Sequence, residues 1–130
     1  LVLKGILCVE DARRAVEMGA DGIVLSNHGG RQIDSSVSGV ELLPAVSAEV
    51  GERITVLVDG GFRRGSDVLK ALALGADAVM IGRPALYGLA AGGQAGVAHA
   101  LGLLRAEMER TLTLLGCGSL GELGRHLVRT

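Results

Sequence analysis

Aromatic side chains are almost missing from this chain of 130 residues, which holds one Phe, one Tyr and no Trp. Charge of one sign is missing too: 13 basic side chains face 14 acidic ones, so nothing draws the chain generally to nucleic acid or to an anionic bilayer. The only two cysteines, Cys8 and Cys117, lie 109 positions apart with no CxxC and no histidine at ligand spacing, which excludes a disulfide or zinc framework. No metal site is expected. No apolar run reaches the ~18 residues that a membrane span needs. The chain opens on Leu1 rather than Met, and Leu1-Val-Leu-Lys-Gly reads as a strand already under way. A segment of a longer protein is the expectation.

Glycine, by contrast, is abundant, with 21 residues and no collagen period. Four β-rich apolar runs, Leu1 to Leu3, Gly22 to Ser26, Ile54 to Val58 and Ala78 to Ile81, are each followed by a helical pattern. That alternation predicts a parallel sheet covered by helices. Ala12, Ala15, Val16 and Gly19 mark one helix, Leu42, Leu43 and Val46 a second, and Val68, Leu69 and Leu72 a third that Gly75 ends. Met18-Gly-Ala-Asp-Gly-Ile-Val-Leu-Ser and Leu74-Gly-Ala-Asp-Ala-Val-Met-Ile-Gly repeat the same order of helix end, turn and strand. The pattern fits a doubly wound sheet or half of a (β/α)8 barrel.

Beyond the fourth strand, Pro84 suits the first turn of a helix to about Ala90, and Gly92-Gly93 reads as a flexible break. Val97, Leu101, Leu104, Met108, Thr111, Leu112 and Leu115 then form the stripe of an amphipathic helix packed on the outside of the domain. The division expected is 1–116 as barrel half with its last long helix, and 117–130 as a loosely attached tail.

Reactive groups of parallel α/β proteins gather at the carboxyl ends of the strands, and the unusual residues fall there. Lys4 follows the first run, Ser26-Asn-His-Gly-Gly-Arg-Gln the second, Asp59-Gly-Gly-Phe-Arg-Arg-Gly the third and Gly82-Arg83 the fourth. Gly60 and Gly61 let backbone N–H groups turn to an anion, and Arg63 and Arg83 add charge-assisted bonds. The bland alternative is a tight glycine turn with solvated arginines. In the second loop, an imidazole can take a proton at neutral pH and a guanidinium can clamp a carboxylate, which makes His28 a candidate base and Arg31 a candidate substrate ligand. His99 and His126 lack such company and read as ordinary surface residues.

Taken in order, Lys4-Gly, Ser26-Asn-His-Gly-Gly-Arg-Gln, Asp59-Gly-Gly-Phe-Arg-Arg-Gly-Ser-Asp-Val-Leu-Lys-Ala-Leu-Ala-Leu-Gly-Ala and Gly82-Arg-Pro resemble the FMN-dependent α-hydroxy-acid oxidases and dehydrogenases. That family includes glycolate oxidase, lactate oxidase, flavocytochrome b2 and mandelate dehydrogenase. Phe62 to Asp67, Leu86 to Ala91 and Arg110-Thr-Leu with Gly116-Cys117 look most like the mandelate dehydrogenases. The resemblance implies a (β/α)8 TIM barrel, of which this chain supplies roughly strands 5 to 8 with their helices plus a C-terminal helix.

It also implies roles. FMN is the expected cofactor, and a small (S)-2-hydroxy acid, mandelate-like or lactate/glycolate-like, is oxidised to the 2-oxo acid. Lys4 would lie by the N1/O2 edge of the flavin and Ser26 would hydrogen-bond its ring. His28 would remove the proton and Arg31 bind the carboxylate. Asp59, Gly60, Gly61, Phe62 and Arg63, with Gly82 and Arg83, would hold the ribityl phosphate. Expected partners are an electron acceptor (oxygen, a quinone or a cytochrome), the N-terminal half of the barrel and further copies in a homo-oligomer, with no nucleic acid. Substrate-facing tyrosines would lie on that other half. The expected location is cytoplasmic, or peripheral on the inner face of the membrane through a segment outside this chain. The rivals are another FMN- or phosphate-binding barrel, such as an isopentenyl-diphosphate isomerase or an enzyme like inosine-monophosphate dehydrogenase, and a non-catalytic fragment.

Overall fold

A computed structural model describes residues 1–129. Thr130, the end of the expected tail, lies outside the described residues. Four strands alternate with helices: β1 (Val2–Ile6), α1 (Val9–Glu17), β2 (Gly22–Leu25), α2 (Gly39–Val50), β3 (Thr55–Asp59), α3 (Gly65–Ala73), β4 (Ala78–Met80) and α4 (Arg83–Leu115). All pairings are parallel, and the strands lie in the order β1-β2-β3-β4.

That order decides between the two architectures. A doubly wound sheet reverses its strand order at a switch point, whereas a barrel adds each strand beside the last. Here the order never reverses. Ile23, Leu25, Val56 and Val58 are each 0% exposed and pack with Ala12, Ala15, Leu43, Val46 and Ala71 from the helices. The alternate residues occupy the other face, where Val2 is 52% and Met80 40% exposed. The chain is half of a (β/α)8 barrel, seen with its helical jacket closed and its interior partly open.

The sequence repeat becomes a repeated helix ending. After α1 and α3, Gly19 and Gly75 take φ of +77° and +105°, a region that a Cβ disfavours. The next N–H groups, of Ala20 and Ala76, then reach back to the carbonyls of Ala15 and Ala71 at 3.0 and 3.1 Å. Each turn delivers an aspartate before its strand, and Asp77 Oδ2 accepts the Val56 N–H at 2.7 Å.

Three expectations change. Lys4 lies inside β1, not after it, because Gly5 (φ +99°) makes a bulge where the register skips between Lys4 and Ile6 and the strand continues. The outer stripe of α4 is buried only in its middle: Leu104 is buried and Met108 packs on the core, while Leu101 and Leu115 stay 48% and 41% exposed. The tail is not loose. It forms two short 3-10 turns, Leu120–Glu122 and Arg125–Leu127, and Val128 packs against the core. The Gly92-Gly93 break is present as an interruption within α4, with φ of −158° and +57°. Among the described residues no helix is long and apolar enough to cross a membrane.

Candidate functional site

Parallel, in-register pairing brings the carboxyl ends of the four strands to one rim, and a cleft of about 460 Å³ opens there. Lys4, His28, Arg31, Asp59, Gly60, Gly61, Phe62, Arg63, Gly82 and Arg83 all line it. Of the residues expected at the site, Ser26 alone does not. It lies beneath the wall, 2% exposed.

Ser26 is instead the hub of a network. Its hydroxyl donates to Asp59 Oδ2 at 3.0 Å and accepts from Lys4 Nζ at 2.8 Å and from the His28 N–H at 3.1 Å. One proton and two lone pairs are all that a hydroxyl has. All three are engaged within this network. Lys4 also pairs directly with Asp59. Burial by itself would push the Asp59 carboxyl up, but hydrogen bonds from Lys4 and Ser26, with the charges of Lys4 and His28, outweigh it and hold the carboxyl below its ordinary value.

His28 opens a single 3-10 turn, His28–Gly30, with φ of +60°, a left-handed conformation that costs an L-residue about 1–3 kcal/mol. Two local bonds hold it. The Ser26 hydroxyl accepts the His28 N–H, and Asn27 Oδ1 accepts the Gly30 N–H at 3.2 Å. Arg31 follows at the end of the turn, exposed at the cleft.

The two glycine-arginine loops can be told apart by which N–H groups are already used. The N–H groups of Arg63 and Arg64 donate to Asp67 Oδ2 at 3.1 and 3.0 Å, and that of Gly65 donates to Glu107 Oε2 at 2.7 Å. Carboxylates therefore cap the N-terminus of α3 and disfavour a second anion there. Gly60, Gly61, Phe62, Gly82 and Arg83 keep N–H groups with no bond among the described residues, and α4 has no side-chain cap. Gly61 and Gly82 face open space where a Cβ would stand. Arg31, Arg63 and Arg83 form no ion pair among the described residues. Unused donors, free guanidinium groups and an uncapped helix N-terminus fit a phosphate held between residues 60–62 and 82–83.

Met80, Ile81 and Leu86 also line the cleft, and sequence reasoning did not pick them out. Met80 pairs with Asp59 across β3 and β4, so strand alternation was the available signal. Glu107, which holds Arg64 and Gly65 from 43 and 42 residues away, left no local signal.

The family model described as FMN-dependent dehydrogenase matches residues 1–130. An L-lactate oxidase from a Nostoc species is 55% identical over 95% of this chain and 34% of its own length. A 4-hydroxymandelate oxidase from Amycolatopsis orientalis is 59% identical over 93% of this chain and 34% of its own length. The crystal structure of a monotopic membrane protein, (S)-mandelate dehydrogenase, superposes with a TM-score of 0.95 at 51% identity, covering 99% of this chain and 34% of that one. The chain spans about a third of the length of the curated relatives it matches. With the family model matched from end to end and the strand-end motifs gathered on one cleft, the chain belongs to the FMN-dependent dehydrogenase family.

Proposed function

We propose that the complete protein is an FMN-dependent enzyme that oxidises a small (S)-2-hydroxy acid, mandelate-like or lactate/glycolate-like, to the 2-oxo acid. The observation that carries this reading is one cleft shared by a strained histidine, an arginine three residues on that is unpaired among the described residues, and a row of N–H donors likewise unused beside two more arginines. The chemistry that bound FMN supplies is acceptance of two electrons from substrate C2. His28 takes the substrate proton on a ring nitrogen, and its left-handed backbone fixes where the ring projects. Arg31 binds the substrate carboxylate in bidentate fashion and so orients C2. Lys4 places a positive charge at the electron-rich edge of the flavin. Gly60, Gly61, Gly82 and the Arg63 and Arg83 side chains hold the phosphate.

The remaining parts of the reading concern the other half of the barrel and the enzyme's surroundings. Its exposed inner residues, Val2 and Met80, belong against side chains from the other four strands, since barrel interiors are filled in layers. Residues 1–116 serve as the second half of that barrel and residues 117–130 as its closing tail. Oxygen, a quinone or a cytochrome reoxidises the enzyme, which works as a homo-oligomer in the cytoplasm or on the inner face of the membrane. Anaerobic mixing of the complete gene product with a panel of 2-hydroxy acids tests the proposal. Bleaching of the flavin spectrum by mandelate, lactate or glycolate is expected. A colourless preparation, or a yellow one that no 2-hydroxy acid bleaches, refutes it.

A further inference from the structure

Lys4, Ser26, His28 and Asp59 come from three strands and the loops that follow them, yet join in one network: Lys4 and Ser26 donate to one carboxylate oxygen of Asp59, and the His28 N–H donates to the Ser26 hydroxyl. Asp59 Oδ2 accepts from both the Lys4 ammonium and the Ser26 hydroxyl. Because the only Ser26 proton goes to Asp59, both Ser26 lone pairs are turned to Lys4 and to the His28 N–H. Removal of the carboxylate would free that proton to rotate, and the hydroxyl would no longer be compelled to accept from both. Two of the three Lys4 hydrogens are committed in this way, leaving one for the cleft that Lys4 lines. The His28 N–H makes its bond to Ser26, and φ of +60° persists only where the surroundings impose it.

A direct role for the Asp59 side chain on a phosphate is opposed by sign, since both are anions. We propose that Asp59 is a positioning residue: through Ser26 it aligns Lys4 with the His28 backbone, and its charge limits how much of the Lys4 charge reaches the flavin edge. This rests on the flavin reading above for its electrostatic half, but the Ser26 to His28 link stands without any cofactor. Bonds in such a closed network polarise one another, so the network is worth more than its separate bonds.

The test uses the complete gene product with FMN bound. Asp59→Asn leaves the Lys4 charge without its partner, so the reduced, anionic flavin is expected to be favoured at least tenfold. That is a rise of about 30 mV in the two-electron midpoint potential. Asp59→Glu keeps the charge and is expected to restore the wild-type potential. Ser26→Ala keeps the Lys4–Asp59 pair but is expected to speed hydrogen exchange of the His28 amide at least tenfold. An unchanged or lowered potential in Asp59→Asn, or unchanged His28 exchange in Ser26→Ala, overturns the proposal. A wild-type protein that holds no flavin refutes the flavin reading instead, and the exchange measurement still decides the link to His28. Where Asp59→Asn does not fold, the Ser26→Ala exchange rate alone decides: faster exchange supports the proposal and unchanged exchange overturns it.

Discussion

Replacing Gly65 by alanine should destabilise the protein, although the same change at Gly102 should stabilise it. Gly65 begins α3 where that helix meets α4. A Cβ built there would stand 2.5 Å from the Met108 nitrogen, 2.6 Å from the Leu104 carbonyl oxygen and 2.7 Å from the Glu107 Cβ. Two of these are backbone atoms of a helix and cannot rotate aside. Ordinary contact begins near 3.4 Å, so α3 and α4 would have to part by roughly 0.9 Å. Overpacking of a close-packed contact costs about 1–3 kcal/mol, and with backbone on both sides the upper value, about 3 kcal/mol, applies. The shift also pulls the Gly65 N–H from Glu107 and moves the start of α3, next to Arg63. Gly102 is different, being exposed and helical with nothing within 4 Å of its Cβ position. Alanine there should add about 0.4–1 kcal/mol by restricting the unfolded chain. Urea unfolding of the complete gene product, followed by far-UV circular dichroism, reads both as opposite shifts of the midpoint at unchanged slope. Weaker FMN binding should accompany Gly65→Ala alone. A Gly65→Ala midpoint at or above wild type would refute the close approach of α3 and α4.

Other outcomes follow from the site. Arg31→Met should raise KM for a 2-hydroxy acid by about 30-fold or more, because truncating one partner of a bonded charge pair costs about 2–5 kcal/mol; steady-state kinetics with an unchanged KM would remove Arg31 from the carboxylate. His28→Gln should slow anaerobic flavin reduction by about 10²–10⁴-fold while FMN stays bound, as expected for loss of a general base; stopped-flow reduction at the wild-type rate would exclude His28 from that role. Acid should unfold the protein through its depressed carboxyls. Hydrogen bonds from the Gly65 N–H and Arg64 lower Glu107, and the Lys4 and Ser26 bonds outweigh burial to lower Asp59, so both favour the fold above their ordinary values of 4.5 and 3.8. That stabilisation is lost as pH falls through the lower folded values. A urea midpoint that stays flat from pH 5 to pH 3 would contradict it.

Periodicity and turn chemistry made most of the fold legible. The four apolar runs became four strands within a few residues of their expected limits, and the glycines of the repeat became the helix endings they suggested, because these features depend on neighbours a few positions apart. The place of Lys4 inside β1 depends on the Gly5 bulge, which shows only in the pairing of two strands. The packing of the tail leaves no trace in the sequence because its few apolar residues have no periodicity of their own, and Val128 packs against a core built by other elements.

The sequence by itself determined the chemistry available: a histidine and an arginine in one loop, glycines beside arginines in two others, and alternating strands and helices that can form only a parallel sheet. Tertiary structure decided which of these groups act together. Lys4, Ser26 and Asp59 are separated by 22, 33 and 55 positions pair by pair, and no local pattern links them. Parallel register puts the carboxyl ends of consecutive strands side by side, so one carboxylate can hold a lysine from β1 and a serine just past β2. Likewise, only the packing of α4 on α3 places Glu107 on the Gly65 N–H, which takes the end of α3 out of contention and leaves α4 as the N-terminus open to an anion.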